Sequence, residues 1–407
     1  MRKQLEKYFE SNFKSYLEVY ENLVSINSFT ANAQGVNENG RIISDAFSDL
    51  GFIPEYIPSI NPAFGNHLVL TRRGNTDVSV GLITHIDTVF SKEEEEANNF
   101  SWRVEGDRVY GPGTSDVKGG TILILMVMNA LHEFSKDLFD KVTWIILANA
   151  AEERLSNDFG EICRDKLKEQ GLAALIFEAG YQTGNHFSLV RARKGMAIYT
   201  IEVEGRSAHA GNQHQFGANA IVQLAKTIQE IEDLTDYEND LTYNVGVATG
   251  GTVTNRVPSS ASARGEMRTF SKEVFEQGLN NLLAINESAP LKSSADGYRC
   301  KFNIKIDQVN DPWPPNAGTE QLLSNWKATA STLGYIIDSE ERGGLSDGNH
   351  IWNFIPTLDG LGPNGDNGHC SEQSSDGSKE QEYATLSSFI PKAVLNAMAI
   401  QRLITNK

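Results

Sequence analysis

The chain has 407 residues, more than one hydrophobic core usually supports, so we expect two domains. It contains 36 Lys and Arg residues against 53 Asp and Glu residues, which gives a formal net charge of −17 and a sequence pI near 5.0. Because so acidic a chain repels phosphate groups, the charge balance argues against a nucleic-acid partner and against binding to an anionic membrane.

The cysteines and the first residues bear on the cellular compartment. Cys163, Cys300 and Cys370 are far apart and odd in number, so they predict a reducing compartment and no disulfide framework. Residues 1–26 are charged throughout and have the spacing of an amphipathic helix, not the unbroken apolar segment of a signal peptide. We expect no other stretch to be long and apolar enough to span a membrane. These features predict a cytoplasmic protein.

Up to about residue 192, the sequence alternates between strand and helix patterns. The N-terminal helix is followed by a second helix that contains Ile42, Ile43, Phe47 and Leu50 and ends at Gly51. Apolar runs of strand length follow in HLVLTRR, VSVGLITH, KVTWIILANA and AALIFEAG, and GGTILILMVMNALHEF predicts a buried helix. This alternation predicts an α/β sheet covered by helices on both faces.

The pattern changes near residue 192. Strands are predicted in RKGMAIYTIEVEGRSAHAG, LTYNVGVATGGTVTNRVP, SASARGEMRTF and YRCKFNIKID, with helices at about residues 217–232 and 272–286 between them. After PWPPN, helix and strand patterns resume, and we expect a final helix from Tyr383 to Leu403. The sequence therefore predicts one α/β domain formed by residues 1–192 and 309–407, interrupted by an α+β domain formed by residues 193–308.

Polar residues follow several of the predicted strands. They are His85 and Asp87 in THIDTVF, Asp116 in GPGTSDVKGG, Glu152 and Glu153 in NAAEERLS, Glu178 in FEAG, and His369 in NGHCSEQ. Ligands of open α/β sheets bind beyond the carboxyl ends of the strands, so we expect these side chains to converge. Two histidines and several carboxylates suit zinc or a related divalent ion, and suffice for two ions that share a carboxylate. A metal would also offset the cost of burying carboxylates after apolar strands.

Each of these residues also has a structural explanation. A single His or Asp at a strand end often belongs to a turn, and adjacent glutamates such as Glu152 and Glu153 are common on protein surfaces. Glu178 could cap a helix, and the glycines around Asp116 could mark a turn. Their joint occurrence after apolar runs favours the metal site.

Eight blocks in order carry a family resemblance: HIDTVF, GPGTSDVKGG, AEER, FEAG, GRSAHAG, GGTVTNRVP, GLSDGN and DGLGPNGDNGH. The series resembles the M20 family of co-catalytic metallopeptidases and amidohydrolases, and within it the glutamate carboxypeptidase (carboxypeptidase G2-like) branch. The resemblance covers nearly the whole chain, including INSFTANAQGVNE near the start. It implies a zinc-peptidase-like mixed sheet covered by helices, and an inserted ferredoxin-like α+β domain that acts as a lid and dimerises.

The resemblance also implies two divalent metal ions, zinc or else cobalt or manganese. Asp116 would bridge the two ions. His85 and Glu178 would complete one site, and Glu153 and His369 would complete the other.

Two further acidic residues have implied or predicted roles at this centre. The resemblance makes Glu152 the general base, which takes a proton from the bridging water and hands it to the leaving amine. Asp87 lies two residues after His85 and therefore on the same side of the strand. Since the ligand set needs only one of that pair, we predict that Asp87 accepts the other ring N–H of His85 and fixes its tautomer.

The inserted domain contributes residues as well. In GRSAHAG the resemblance implies that His209 stabilises the oxyanion of the tetrahedral intermediate, in the site of the neighbouring subunit of a homodimer formed through the lid domain. Asn255 in TNRVP matches a substrate-contacting asparagine. Arg268 in GEMRTF stands where the family uses an arginine to hold a substrate carboxylate, which a bidentate guanidinium suits.

Some features compete with this assignment. The segment CSEQSSDGSKEQEY after His369 is longer than the family's usual step into the last helix. Cys370 could be proposed as a thiolate ligand or nucleophile, although the ligand set is complete without it. His350 in SDGNH is a rival to His369, but the DGLGP lead-in favours His369.

Three functions follow from this sequence. The first is a zinc exopeptidase that releases a C-terminal amino acid, such as Glu or Asp, from a peptide or N-acyl conjugate. The second is an N-acyl amino acid or acyl-diamine deacylase with the same metal chemistry. The third is an inactive, metal-binding dimeric scaffold, which the presence of Glu152 and His209 opposes.

Overall fold

The structure is a computed structural model that describes residues 1–406. In chain order its α-helices are α1 (Arg2–Val24), α2 (Ala33–Ser48), α3 (Lys92–Ala97), α4 (Gly119–Phe134), α5 (Lys136–Lys141), α6 (Asn157–Leu167), α7 (Ala220–Glu232), α8 (Lys272–Ala284), α9 (Ala317–Leu333) and α10 (Phe389–Thr405). Its strands are β1 (Ile53–Pro58), β2 (Asn66–Arg72), β3 (Ser79–His85), β4 (Arg103–Glu105), β5 (Arg108–Tyr110), β6 (Thr143–Asn149), β7 (Gly171–Ile176), β8 (Gln182–Thr183), β9 (His186–Arg193), β10 (Gly195–Glu204), β11 (Thr242–Gly250), β12 (Ser260–Thr269), β13 (Lys301–Asn310), β14 (Ile336–Arg342), β15 (Thr357–Leu358), β16 (Gly365–Asp366) and β17 (Tyr383–Thr385).

The chain divides into two compact units. The first unit contains Met1–Arg191, Pro315–Glu341 and the described chain from Ser346 onward, and the second contains Ala192–Pro314 and Arg342–Leu345. The predicted return to the first domain at residue 309 was therefore too early. Strand β13 pairs with β10 as far as Asn310, and main-chain hydrogen bonds of 2.8 and 3.0 Å join Arg193 to Trp313. These bonds keep residues 312–314 in the second unit.

The first unit is built around a mixed sheet with the strand order β1-β2-β6-β3-β7-β15. Strands β6, β3, β7 and β15 run parallel to one another, whereas β2 is antiparallel to β6 and β1 is antiparallel to β2. Every residue of β3 is buried, as expected for a strand with helices on both faces. Because β3 and β6 are parallel and in register from Ser79↔Thr143 to His85↔Asn149, their carboxyl ends lie at the same edge.

Helix α4 is the most apolar helix of this unit and packs against α1, α10 and β3. Together with the preceding turn it forms a stretch, Thr114–Phe134, of 21 residues whose most apolar window has a mean hydropathy of 1.2. That stretch has the length and composition of a membrane span, so the expectation that none exists was wrong. However, 78% of the window is buried inside the protein, which is the environment of a core helix.

The second unit has the order β10-α7-β11-β12-α8-β13, which is the βαββαβ arrangement of a ferredoxin-like fold. Its sheet is antiparallel throughout, in the order β11-β12-β10-β13, and α7 and α8 pack on it. Burial alternates along β12, so one face of the sheet meets the helices and forms a separate core. The predicted combination of an α/β unit with an α+β unit is confirmed.

One predicted element begins in the wrong place. The final helix, α10, begins at Phe389 and not at Tyr383, because Tyr383–Thr385 forms β17 and pairs with β5. The helices expected at about residues 217–232 and 272–286 are α7 and α8.

Gly120 in α4 provides a test of the packing between this helix and β7. A Cβ atom at Gly120 would lie 2.0 Å from the Phe177 carbonyl oxygen, so Gly120→Ala should lower the free energy of unfolding by about 1–3 kcal/mol. Gly40 in α2 is the matched control, because its Cβ would meet nothing closer than 3.8 Å. Gly40→Ala should be neutral or stabilising by up to about 1 kcal/mol. Urea unfolding with excess chelator measures both, and equal effects would contradict this account of the packing.

Candidate metal centre

The candidate site lies at the carboxyl edge of the central strands. His85 is the last residue of β3, and it is in register with Asn149, the last residue of β6. Glu152 and Glu153 follow β6 in a single 3₁₀ turn, and Glu178 follows two residues after the end of β7. The parallel register therefore brings together side chains from three separate strand ends.

Asp116 lies between two imidazole rings. Its Oδ1 is 3.0 Å from Nε2 of His85, and its Oδ2 is 3.3 Å from Nε2 of His369. His85 Nε2 is also 3.6 Å from Oε1 of Glu178, and His369 Nε2 is 3.2 Å from Oε2 of Glu153. The structure thus brings the five sequence-predicted metal ligands together in two groups that share Asp116.

The separations between these atoms fit shared metal ions. Two ligands bound tetrahedrally to one zinc ion at their usual bond lengths lie about 3.4 Å apart. The four imidazole–carboxylate distances, 3.0 to 3.6 Å, fall around that value. Ligand atoms of His85, Asp116 and Glu153 also lie within 4.8 Å of one another. Imidazole nitrogens and carboxylate oxygens in this arrangement could hold divalent metal.

The pKa shifts of the residues at the site also favour bound cations. Burial raises the pKa of Glu152 well above its usual range, and the neighbouring charge of Glu153 adds to the effect. The pKa of Glu153 is raised by burial and by the charge of Asp116. Hydrogen bonds to Asp116 and Glu153 raise the pKa of His369 to about 11. Carboxylates are thus crowded where burial penalises negative charge, and bound cations would offset that penalty.

His369 has an unusual backbone conformation for its residue type. Its φ is +67°, and φ of Asn367 two positions earlier is +59°. Left-handed backbone is disfavoured for a residue with a side chain, and such strain persists where surrounding structure enforces it, often at functional sites.

Asp87 does not act as predicted. The nearer acceptor for Nδ1 of His85 is the main-chain carbonyl of Asp87 at 2.9 Å, whereas the carboxylate Oδ1 is 3.6 Å away. The buried carboxylate instead accepts the N–H of Glu152 at 3.0 Å, the N–H of Glu153 at 3.3 Å and the hydroxyl of Thr30 at 2.6 Å. Asp87 therefore orients His85 through its backbone, and its side chain holds the turn that carries the glutamates.

The two residues before that turn are held in the same way. The N–H of Ala150 donates to Nδ1 of His67 at 3.1 Å, and the N–H of Ala151 donates to Oδ1 of Asn149 at 3.0 Å. His67 is fully buried, and its other ring nitrogen lies 3.1 Å from Asp158. With Asp87, these side chains accept four consecutive main-chain N–H groups. Sequence reasoning assigned no role to His67, which no motif surrounds, or to Asn149, which begins NAAEERLS, because only the glutamates of that stretch were considered.

The remaining predicted residues lie in the second unit. His209 and Asn255 are on adjacent loops joined by the hydrogen bond from Ala210 N–H to the Asn255 carbonyl, at 3.0 Å. Nδ1 of His209 accepts the main-chain N–H groups of Gly211 and Asn212, each at 3.1 Å. Because Nδ1 is an acceptor, the ring proton resides on Nε2, which makes that nitrogen a donor in the neutral ring.

Arg268 has partners within its own unit. On β12, its Nε and Nη2 pair with the carboxylate of Glu266 at 2.8 and 3.0 Å. Its Nη1 donates to the Gly343 carbonyl at 2.9 Å. A substrate carboxylate would therefore compete with Glu266 for this guanidinium.

The alternatives to His369 have other contacts. Cys370 Sγ lies 3.6 Å from the Glu372 carbonyl, as a weak donor. His350 is the last residue of a short 3₁₀ turn and packs against Gly160, where an added Cβ would meet it at 2.7 Å.

Comparisons with known proteins agree with this fold. A family model described as a peptidase dimerisation domain (M20_dimer) matches residues 191–293. The chain is 26% identical to carboxypeptidase G2 of Pseudomonas sp. (strain RS-16) over 400 residues, covering 96% of this chain and 90% of the relative. It is 26% identical to acetylornithine deacetylase of Vibrio campbellii over 324 residues, covering 71% and 80%. The structure of a dinuclear metal binding peptidase from the M20 family of Bacillus subtilis superposes with a TM-score of 0.68 at 14% identity, covering 97% and 99%.

Removing the Asp87 carboxylate tests its revised role. Asp87→Ala leaves two buried N–H groups without an acceptor, so the free energy of unfolding should fall by about 2–4 kcal/mol. The free energy of unfolding of Asp87→Asn should lie between those of the wild type and Asp87→Ala, because the Asn amide nitrogen would face one of those two N–H groups. The control Thr30→Val removes only the hydroxyl and should cost about 1 kcal/mol. Urea unfolding of metal-free protein measures all three; a wild-type value for Asp87→Ala would refute the assignment.

Proposed function

Because this chain belongs to the M20 family of metallopeptidases and amidohydrolases, we propose that it hydrolyses an amide bond to release a C-terminal amino acid from a peptide or an N-acyl conjugate. Glu and Asp are the proposed C-terminal residues. The observation that carries the proposal is Asp116 between two imidazoles, with Glu153 and Glu178 beside them. Members of this family are hydrolytic enzymes, which makes the inactive-scaffold hypothesis wrong.

Two divalent cations would be held by the two groups of ligands that share Asp116. His85 and Glu178 would complete one group, and Glu153 and His369 the other. We propose zinc, with cobalt or manganese as alternatives, because oxygen and imidazole ligands discriminate only modestly among these metals. Bound ions supply a Lewis acid that polarises the amide carbonyl and acidifies a water molecule.

Glu152 is the proposed general base. It is partly buried beside Glu153, and the loss of solvent around it raises its pKa. In the reaction its carboxylate accepts a proton from the attacking water and then gives that proton to the leaving nitrogen. A raised pKa suits both steps, since the group must hold the proton between them. The hydrogen bonds that the main-chain N–H groups of residues 152 and 153 donate to the Asp87 carboxylate keep the turn in place during this transfer.

His209 is proposed to stabilise the negative oxygen of the tetrahedral intermediate. The two N–H groups on its Nδ1 leave Nε2–H as the donor that such a role needs. We further propose that His209 acts in the site of a partner subunit, in a homodimer formed through the second unit. Asn255 would contact the substrate from the adjacent loop, and Arg268 would exchange part of its pairing with Glu266 for the substrate carboxylate.

The surface of the second unit supports a homodimer. β11 is an edge strand of its sheet, and residues 246–250 at its end are exposed. Val247 on that strand is 57% exposed, and Val222 on α7 is 50% exposed. The matched dimerisation-domain model spans both residues. An unpaired edge with exposed valines suits pairing with a second copy of the same surface.

The predicted cytoplasmic location stays part of this proposal.

The second candidate is an N-acyl amino acid or acyl-diamine deacylase. The similarity to acetylornithine deacetylase favours it, and the proposed metal chemistry would be identical. The two candidates differ in which part of the substrate must be recognised, so substrate screening separates them.

A mass-spectrometric screen tests the function. Metal-reconstituted protein is incubated with a dipeptide library and with an N-acyl amino acid library, and cleavage confined to substrates with C-terminal Glu or Asp is expected. Glu152→Gln should reduce kcat by about 10²–10⁴-fold while metal stoichiometry is unchanged. Glu153→Gln is the matched control, which should lose one metal. Cleavage of acyl-diamines alone would favour the deacylase, and near-normal activity of Glu152→Gln would refute the general-base role.

Subunit complementation tests whether His209 acts in a partner subunit. His209→Gln and Glu152→Gln homodimers should each be inactive. When the two are unfolded together and refolded, half of the dimers are mixed and each mixed dimer holds one intact site, so about a quarter of wild-type activity should return. Mixing His209→Gln with Asn255→Ala is the control for effects of refolding. No recovery, with mixed dimers demonstrated by mass spectrometry, would place His209 in its own subunit's site.

A further inference from the structure

We propose that Glu382 is a positioning residue of the metal centre: it fixes the main chain that carries Asp116 and links that chain to the segment that carries His369. This inference rests on the proposed function, because it concerns the same metal ions. Glu382 lies in the EQEY sequence, outside the motifs that carry the family resemblance.

Glu382 accepts hydrogen bonds from the main chain at Asp116 and at the residue before it. Its Oε1 accepts the N–H of Ser115 at 2.8 Å and the N–H of Asp116 at 3.0 Å. The side chain is fully buried. Two hydrogen bonds to one carboxylate oxygen restrict the orientation of the peptide just before Asp116. They therefore limit how far the Asp116 carboxylate can turn away from the two imidazoles.

The same residue closes the long segment after His369. The N–H of Glu382 donates to the Cys370 carbonyl at 2.8 Å, so residues 371–381 form a loop whose two ends are joined by this hydrogen bond. Directly after it, β17 pairs with β5, which places Glu382 between that sheet and the Asp116 turn. Asp116 and the segment of His369, which are distant in sequence, are thereby connected through one residue, whose side chain binds the first and whose main chain binds the second. The unusual length of the loop formed by residues 371–381 does not disturb this connection.

The charge of Glu382 is otherwise poorly compensated. Its Oε2 has no hydrogen-bond partner among residues 1–406. Burial and the charge of Asp116 raise the pKa of Glu382 to about 8, although the buried ammonium of Lys118, on the same turn as Asp116, interacts with it. A buried carboxylate is costly to keep, and an apolar residue would fill this space at lower cost unless the acceptor oxygen were needed. The two N–H groups beside a metal ligand supply that need.

Metal binding without substrate tests the proposal. Zinc affinity is measured by competition with a chelating indicator and zinc stoichiometry by elemental analysis, and circular dichroism gives the Tm of each metal-free protein. Glu382→Leu fills the volume without an acceptor and should weaken zinc binding about 10–100-fold. Glu382→Gln retains an acceptor oxygen and should restore most of the affinity. Glu372→Ala, an exposed carboxylate on the same segment, is the control and should bind zinc as the wild type does.

The outcomes separate this proposal from simpler explanations. If Glu382→Leu binds two zinc ions with wild-type affinity, or if Gln and Leu weaken binding equally, the positioning role is refuted. A purely structural role would lower the Tm of the metal-free protein and leave the affinity of the folded fraction unchanged, which also refutes it. If Glu382→Leu does not fold, a tenfold loss in Glu382→Gln alone overturns the proposal. Failure of the wild type to bind metal would instead refute the proposed function.

Discussion

The constraint on which the site depends is the placement of Asp116 between His85 and His369. A carboxylate that faces two imidazoles within 3.3 Å can serve both only if its own backbone cannot turn. The surrounding carboxylates raise the cost of burial, and Glu152 and Glu153 have raised pKa values for that reason. The same crowding of negative charge therefore lowers the stability of the strand ends and favours the proposed binding of metal.

The structure meets this constraint with acceptors for main-chain N–H groups. Asp87, Asn149 and His67 accept the N–H groups of residues 150–153, and Glu382 accepts those of residues 115 and 116. In both places a buried side chain holds a turn whose own side chains face the site. Such support leaves the functional side chains free for metal and substrate, which a direct hydrogen bond to them would not.

The two units have different physical tasks. In the first, parallel strands that are buried on both faces bring side chains from β3, β6 and β7 to one edge. In the second, the edge strands β11 and β13 have no neighbour on their outer sides within the described chain, and exposed loops carry His209 and Asn255. The proposed metal site and a surface suited to a partner subunit are thus built on separate cores.

The sequence by itself determined the α/β and α+β cores and the positions of His85, Glu153 and Glu178 at strand ends, because apolar runs followed by carboxylates and histidines leave few ways to bury the first and solvate the second. Asp116 reaches the site from the turn before α4, and His369 follows a short strand of another sheet. Only the tertiary structure decided how Asp87 and Glu382 act, and where the inserted unit ends. Their partners are main-chain N–H groups, which nearly every residue has, so no pattern of side chains identifies them. Acceptors of this kind are defined by proximity in space, which only the folded chain supplies.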